Sequence, residues 1–207
     1  MSNQPDSFLT IAHQVIEDEI QELRNLDAAL DENFSTACRM ILDCCGRVIF
    51  SGVGHSGHVA EKSAANLASL TRPSFFLHAG EAAHGDLGAV SGDDLVIFIS
   101  NSGETEEILR LLPRMRSIGA KTIAIVGNLQ SSMAQTCDLA LSHGAREEAG
   151  PIKYAGSSTA LNCMALCDAL VMATSVAKGM TEEAYWHVHP GGAVGSRLGA
   201  KFNHSKS

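Results

Sequence analysis

Leu95-Val96-Ile97-Phe98-Ile99 runs straight into Ser100-Asn101-Ser102-Gly103-Glu104-Thr105-Glu106-Glu107. An apolar run of strand length breaks into small hydroxylated residues. Apolar residues then return at Ile108, Leu109, Leu112 and Met115, the helical spacing, and stop before Gly119. The stretch predicts a strand, a turn and a helix. At such a helix start the first N–H groups are unpaired and the dipole favours negative charge, while Gly103 lets a ligand approach the main chain. Ser100, Ser102 and Thr105 add hydroxyl donors. Lysine and arginine are absent from the turn, so it suits a phosphate monoester held by hydrogen bonds. A nucleoside triphosphate with magnesium would call for the usual Lys-Ser/Thr pair. The plainer reading of the same residues is a helix cap, because Ser, Asn and Thr are ordinary capping residues.

The same strand, turn and helix pattern recurs on both sides. Arg47 to Ser51 is a short strand, followed by Gly52-Val53-Gly54-His55-Ser56-Gly57 and an alanine-rich helix from His58 to Leu70. Pro73 opens a strand at Ser74 to Leu77, which leads into a loop or short helix at 78–88, dense in titratable groups. Lys121 to Val126 is a fourth strand. A small helix around Ser131 to Gln135 and a short strand at Asp138 to Leu141 follow. Ser157, Ser158 and Thr159 then open an apolar helix running from Ala160 to Ala177. Before the strands come a long amphipathic helix from Ser7 to about Leu30 and a second helix with Asn33 as its cap. Repeated alternation at this spacing predicts an α/β fold, a three-layer αβα sandwich around a five-stranded parallel sheet. Ligands should lie outside the carboxyl ends of its strands.

At 207 residues and 45% hydrophobic content the chain suits one domain with a sizeable core. Residues 1–32 read as an N-terminal helix, 33–200 as the catalytic or binding domain and 201–207 as a tail. A formal charge of -8 leaves no basic footprint for nucleic acid or an anionic membrane. Met1 to Asp6 lack the charged and apolar regions of a signal peptide. The apolar window from Leu161 to Ala177 carries Asn162 and Asp168 and reads as a buried helix. The six cysteines, Cys38, Cys44, Cys45, Cys137, Cys163 and Cys167, form no Cys-x-x-Cys pair. They read as small apolar residues in a reducing compartment, the cytoplasm.

Gly52-x-Gly54-x-x-Gly57 matches the dinucleotide fingerprint, but the next strand ends Phe76-Leu77-His78, where an acidic residue should bind the ribose. Three hydroxyl-bearing helix starts, at Ser56, at Ser100 to Thr105 and at Ser157 to Thr159, would instead converge on one rim and hold one small phosphorylated ligand. Asp168 reads as structural, a charge within an apolar helix that needs a partner.

Taken together, Gly-x-Gly-x-Ser-Gly-His at 52–58, His-x-Gly-Glu-Ala-Ala-His-Gly-Asp-Leu-Gly at 78–88, Ser-Asn-Ser-Gly-Glu at 100–104 and His-Pro-Gly-Gly-Ala-x-Gly at 189–195 resemble the sugar isomerase (SIS) domain of arabinose-5-phosphate isomerases. The likeness covers roughly residues 35 to 200. It implies interconversion of D-arabinose 5-phosphate and D-ribulose 5-phosphate by a homotetramer with sites at subunit interfaces. Carried over motif by motif, the catalytic positions are His55, Glu107, Glu148 and His189. Substrate and phosphate would be bound by Gly54, Ser56, His84, Ser100, Asn101, Ser102, Glu104, Thr105, Ser157, Ser158 and Thr159. His78 and His84 lie where the family contacts substrate and can take an inhibitory zinc, so zinc is read as occupancy and no cofactor is required. Moving a proton between C2 and C1 of an open-chain sugar needs a group that accepts and returns it, and Glu148 is the base chosen. His189 could open the ring or shuttle protons between oxygens. Glu107 lies one turn into the phosphate-cradle helix.

The chain departs from the family pattern in places. The family usually has lysine at the position of His55, and reads Glu-Ala-Cys-Pro where this chain has Glu148-Ala149-Gly150-Pro151. Many members carry paired CBS domains after the SIS domain, whereas this sequence reads as a single-domain form. A sugar-phosphate sensor without turnover and an isomerase for another sugar phosphate are the alternatives kept open.

Overall fold

The computed structural model describes residues 4–203. Helices α1 (Gln4–Ala29) and α2 (Glu32–Asp43) precede strand β1 (Val48–Gly52). Helix α3 (Gly54–Leu70), strand β2 (Ser74–His78), the short helix α4 (Ala79–Ala82) and a 3-10 turn at Asp86–Ala89 follow. Then come β3 (Leu95–Ser100), α5 (Glu106–Ile118), β4 (Lys121–Val126), α6 (Ser132–Thr136), β5 (Leu139–Ser142), α7 (Ser158–Ala177), α8 (Glu182–Val188) and α9 (Gly192–Asn203).

All strand pairs are parallel, in the order β2-β1-β3-β4-β5. The α/β sandwich expected from the alternation is therefore present. Because strands bury both faces, their residues alternate between two cores. Val48, Phe50, Leu95, Ile97, Ile99, Ile123 and Ile125 face the layer of α2, α3 and α7. Ile49, Val96, Phe98, Ala124 and Val126 face α4, α5 and α6. Helix α3, after β1, and helix α5, after β3, lie on opposite faces although their strands are neighbours. The chain parts there, at the crevice where open parallel sheets bind ligands.

Several element boundaries differ from the expectations. Asp31, not Asn33, caps α2, its carboxylate accepting from Asn33 N at 2.8 Å. Helix α3 begins at Gly54, so the glycine-rich turn is already its first turn. The region after Lys178 forms α8 and α9, which pack on each other, with Pro190 and Gly191 in an irregular turn between them. Helix α9 crosses residue 200, and 204–207 lie outside the described residues, as do residues 1–3 of the start read as leaderless.

Helix α7 is long and apolar enough to cross a membrane, the one such helix among the described residues. It packs between α3, α2 and α1, burying Leu166, Cys167, Leu170 and Val171 in the first core. Its charge has a partner that the sequence could not name. Asp168 accepts from Lys62 Nζ and, at 3.0 Å, from Asn66 Nδ2, both on α3. The buried Asn162 on α7 donates to the Glu22 carbonyl of α1 at 2.8 Å and to the His143 carbonyl at 2.9 Å, tying three segments together.

Replacing Asn162 by Ala leaves those two carbonyls without this donor and lowers stability by about 1–3 kcal/mol. Urea unfolding reads this as a lower midpoint, and an unchanged midpoint contradicts the tie.

Candidate active site

The β3–α5 turn folds on its own hydroxyls. Ser100 Oγ accepts from Gly103 N at 3.0 Å and lies 2.7 Å from Thr105 Oγ1, and Ser102 Oγ accepts from Glu104 N at 3.1 Å. Thr105 precedes α5 but makes no side-chain cap. Its hydroxyl meets Ser100, so the helix start stays available to a bound anion. Gly103 has φ +67°, and a Cβ there would lie 2.1 Å from Ser131 Oγ, so the turn admits only glycine. Glu104 is directed to α6, where Ser132 N donates to it at 2.7 Å; its role here is to cap that helix. Glu106 pairs with Arg110 along α5, and Glu107 is exposed on the same first turn.

Asn101 reaches the opposite way. The buried His143, just past β5, accepts from Ala145 N at Nδ1 (3.3 Å), so its proton lies on Nε2 and is donated to Asn101 Oδ1 at 3.0 Å. Burial pushes the His143 pKa down, which keeps the ring neutral. His143 was not singled out in the sequence, although a histidine at the carboxyl end of a strand stands where such folds bind ligands.

Glu148 is held at the start of α7. Its carboxylate accepts from Thr159 Oγ1 at 2.5 Å, from Thr159 N at 3.2 Å and from Ser157 Oγ at 3.1 Å. Ser157 Oγ in turn accepts from Ala149 N at 2.9 Å. Burial raises the Glu148 pKa, but the bonds from Thr159 and Ser157 outweigh it and hold the carboxyl below its ordinary value. Ser157 and Thr159, expected to hold phosphate, thus hold Glu148 in this protein, and the hydroxyl of Ser158 is buried. Lys153 Nζ donates to the Glu148 carbonyl at 2.8 Å.

Asn101, Glu148, Thr159, Lys153 and Tyr154 line one open cleft of about 690 Å³. The start of α3 adjoins it. A side chain at Gly156 would meet His55 Nδ1 at 3.5 Å, so His55, in the first turn of α3, lies beside the residues that precede α7. The three helix starts therefore neighbour one another at the carboxyl edge of the sheet. His78 lines a second cleft of about 310 Å³ with Gly54, His58, Glu61 and Phe76, and His84 is exposed in the turn after α4. Among the described residues no three His, Cys, Asp or Glu side chains are grouped to hold a metal ion, so zinc at His78 lacks a third protein ligand. His189 ends α8, stacked on Tyr185 at 4.0 Å, and does not line the Glu148 cleft of its own chain.

A model of the SIS domain matches residues 41–173. The chain belongs to the SIS domain family. Among curated relatives it is 41% identical over 196 residues to arabinose 5-phosphate isomerase KdsD of Escherichia coli strain K12, covering 95% of this chain and 60% of that protein. It is likewise 41% identical over 191 residues to the enzyme of the same name from Pseudomonas aeruginosa, covering 92% and 59%. The chain thus spans about three fifths of the length of these relatives. A solved structure of E. coli CFT073 c3406 in complex with A5P superimposes with a TM-score of 0.87 at 36% identity, covering 92% of this chain and all of that one.

The depressed Glu148 pKa has a signed consequence for this SIS domain. A carboxyl whose folded pKa lies below its unfolded value contributes stability above the ordinary 4.5, and loses it as pH falls through the folded value. Glu148→Gln should therefore flatten part of the loss of stability below pH 4.5, measured by thermal unfolding across pH. An acid limb identical to the wild type contradicts it.

Proposed function

We propose that this SIS domain is an aldose–ketose isomerase interconverting D-arabinose 5-phosphate and D-ribulose 5-phosphate through an enediol. The observation that carries the reading is Glu148, an ionised carboxylate held at a helix start in the same cleft as Asn101 of the phosphate-type turn. The names of the curated relatives and of the A5P complex support it.

The phosphate would sit on the turn from Ser100 to Thr105, with Ser56 and Gly54 of α3 closing the other side of the crevice. Glu148 would take the proton from C2 of the open-chain aldose, leaving an enediol, and return it to C1 of the ketose. A phosphate dianion bound in the crevice would raise the Glu148 pKa by like-charge repulsion and bring it nearer to a working base. Glu107 would face the sugar from the first turn of α5. His55 would supply a shorter and more weakly charged contact than lysine. Acid–base groups alone suffice for this chemistry, so no cofactor is needed, and zinc at His78 would act as an inhibitor.

His189 would reach the sugar from a neighbouring subunit, where it opens the ring or moves protons between oxygens. That requires an oligomer, and we take it to be a homotetramer with sites at its interfaces, working in the cytoplasm. Phe8, Ile16 and Ile20 of α1 are exposed although they belong to the apolar stripe of that helix, which supports a partner surface.

Arabinose 5-phosphate should be converted to ribulose 5-phosphate. Glu148→Gln should lower kcat by about 10²–10⁴-fold while retaining the thermal shift given by the sugar phosphate. Binding without turnover in the wild type would favour a sensor, and turnover of hexose phosphates alone would move the assignment to another isomerase.

A further inference from the structure

Glu148 lies in a segment whose backbone is gripped on both sides by a single helix. Asp18 Oδ2 of α1 accepts from Gly150 N at 3.0 Å, and Glu22 Oε2 accepts from Arg146 N at 2.7 Å. The two acids are one helical turn apart, and the two amides stand two residues before and two after Glu148. Glu22 is only 7% exposed and is oriented further by Asn25 Nδ2 at 3.0 Å. Apolar contact closes the joint around these bonds. Val15 meets Gly150, and at Gly144, with φ +70°, a Cβ would lie 2.8 Å from Leu26 Cα, so helix and loop touch backbone to backbone.

Val15, Asp18, Glu22 and Leu26 therefore form one face of α1 turned to the loop. At the Glu22 position a helix that served only as packing would place an apolar residue, since a buried carboxylate is unfavourable unless it is hydrogen-bonded. Each acid has one backbone donor in the segment that carries the base, besides a side-chain donor on α1 itself, Gln14 Nε2 to Asp18 at 2.6 Å and Asn25 Nδ2 to Glu22. The titratable and charged groups around Glu148 are Lys153, Arg146 and Glu147 of the same loop, the neutral His143 past β5, and Glu22 and Asp18 of α1.

We propose that Asp18 and Glu22 are positioning residues of the isomerase reaction, fixing the backbone on each side of Glu148 so that its carboxylate is held where the sugar passes. This rests on the reading of Glu148 as the proton-transferring base. Thr159 and Ser157 set the carboxylate itself, and α1 sets the loop that delivers it.

The test uses the full chain with Asp18→Ala and Asp18→Asn, the latter keeping an acceptor oxygen without the charge. Asp18→Ser is the second truncation should Asp18→Ala not fold. Truncation should speed hydrogen exchange at Gly150 N and lower kcat for arabinose 5-phosphate roughly tenfold to a hundredfold, with KM changed by less than about threefold. Asp18→Asn should restore most of both. Wild-type kcat with unchanged Gly150 exchange in the truncated variants overturns the proposal, as does an Asp18→Asn variant as impaired as they are. If the wild type turns over no aldose phosphate, it is the functional reading that has failed. The exchange rate and the carbon-13 titration of the Glu148 carboxyl then decide about the clamp. A shifted titration and faster exchange in the truncated variants support it, and an unmoved pair overturns it.

Discussion

The hydrogen bonds from Thr159 and Ser157 to Glu148 are the interaction on which the site depends. A helix start attracts an anion, and in this chain α7 receives one from its own polypeptide. On the proposed reading the crevice would hold two anion sites: the start of α7 orients a carboxylate, and the start of α5, whose Thr105 makes no cap, would take the phosphate. Phosphate and carboxylate would then not compete for the same donors.

The fold supplies the distance between them. Strands β1 and β3 are neighbours, but α3 and α5 leave them toward opposite layers, so a crevice opens above the middle of the sheet. The turn on one side is rigid because Gly103 lies against Ser131 and Glu104 is tied to Ser132. On the other side the carboxylate-bearing loop lacks regular structure of its own, and its order comes from α1, α7 and the neutral His143. Helix α1 thus joins the loop through one face while exposing Phe8, Ile16 and Ile20 elsewhere on its surface.

Local patterning revealed most of the fold. Strand β4 occupies the residues expected of it, Lys121–Val126, and the other strands shift by about a residue, because apolar runs between turn residues are short-range signals. The end of the chain was harder to read. Pro190 and Gly191 do mark an irregular turn, but the helices on either side of it, α8 and α9, are held by packing on each other. At the site, the turn at Ser100 was legible because its residues are contiguous. The bonds from Gly150 N to Asp18 and from Arg146 N to Glu22 were not, since they join residues more than a hundred positions apart, and the stripe of α1 drew attention to its apolar members alone. Ser157 and Thr159 had the right chemistry for an anion, but sequence could not say that the anion would be Glu148.

A crystal structure of the assembled protein soaked with arabinose 5-phosphate tests the central claim most directly. The account predicts phosphate oxygens within hydrogen-bond distance of the turn from Ser100 to Thr105, with C1 and C2 of the sugar facing the Glu148 carboxylate. Phosphate bound at the start of α7 in place of Glu148, or a sugar whose C1 and C2 point away from that carboxylate, would contradict it.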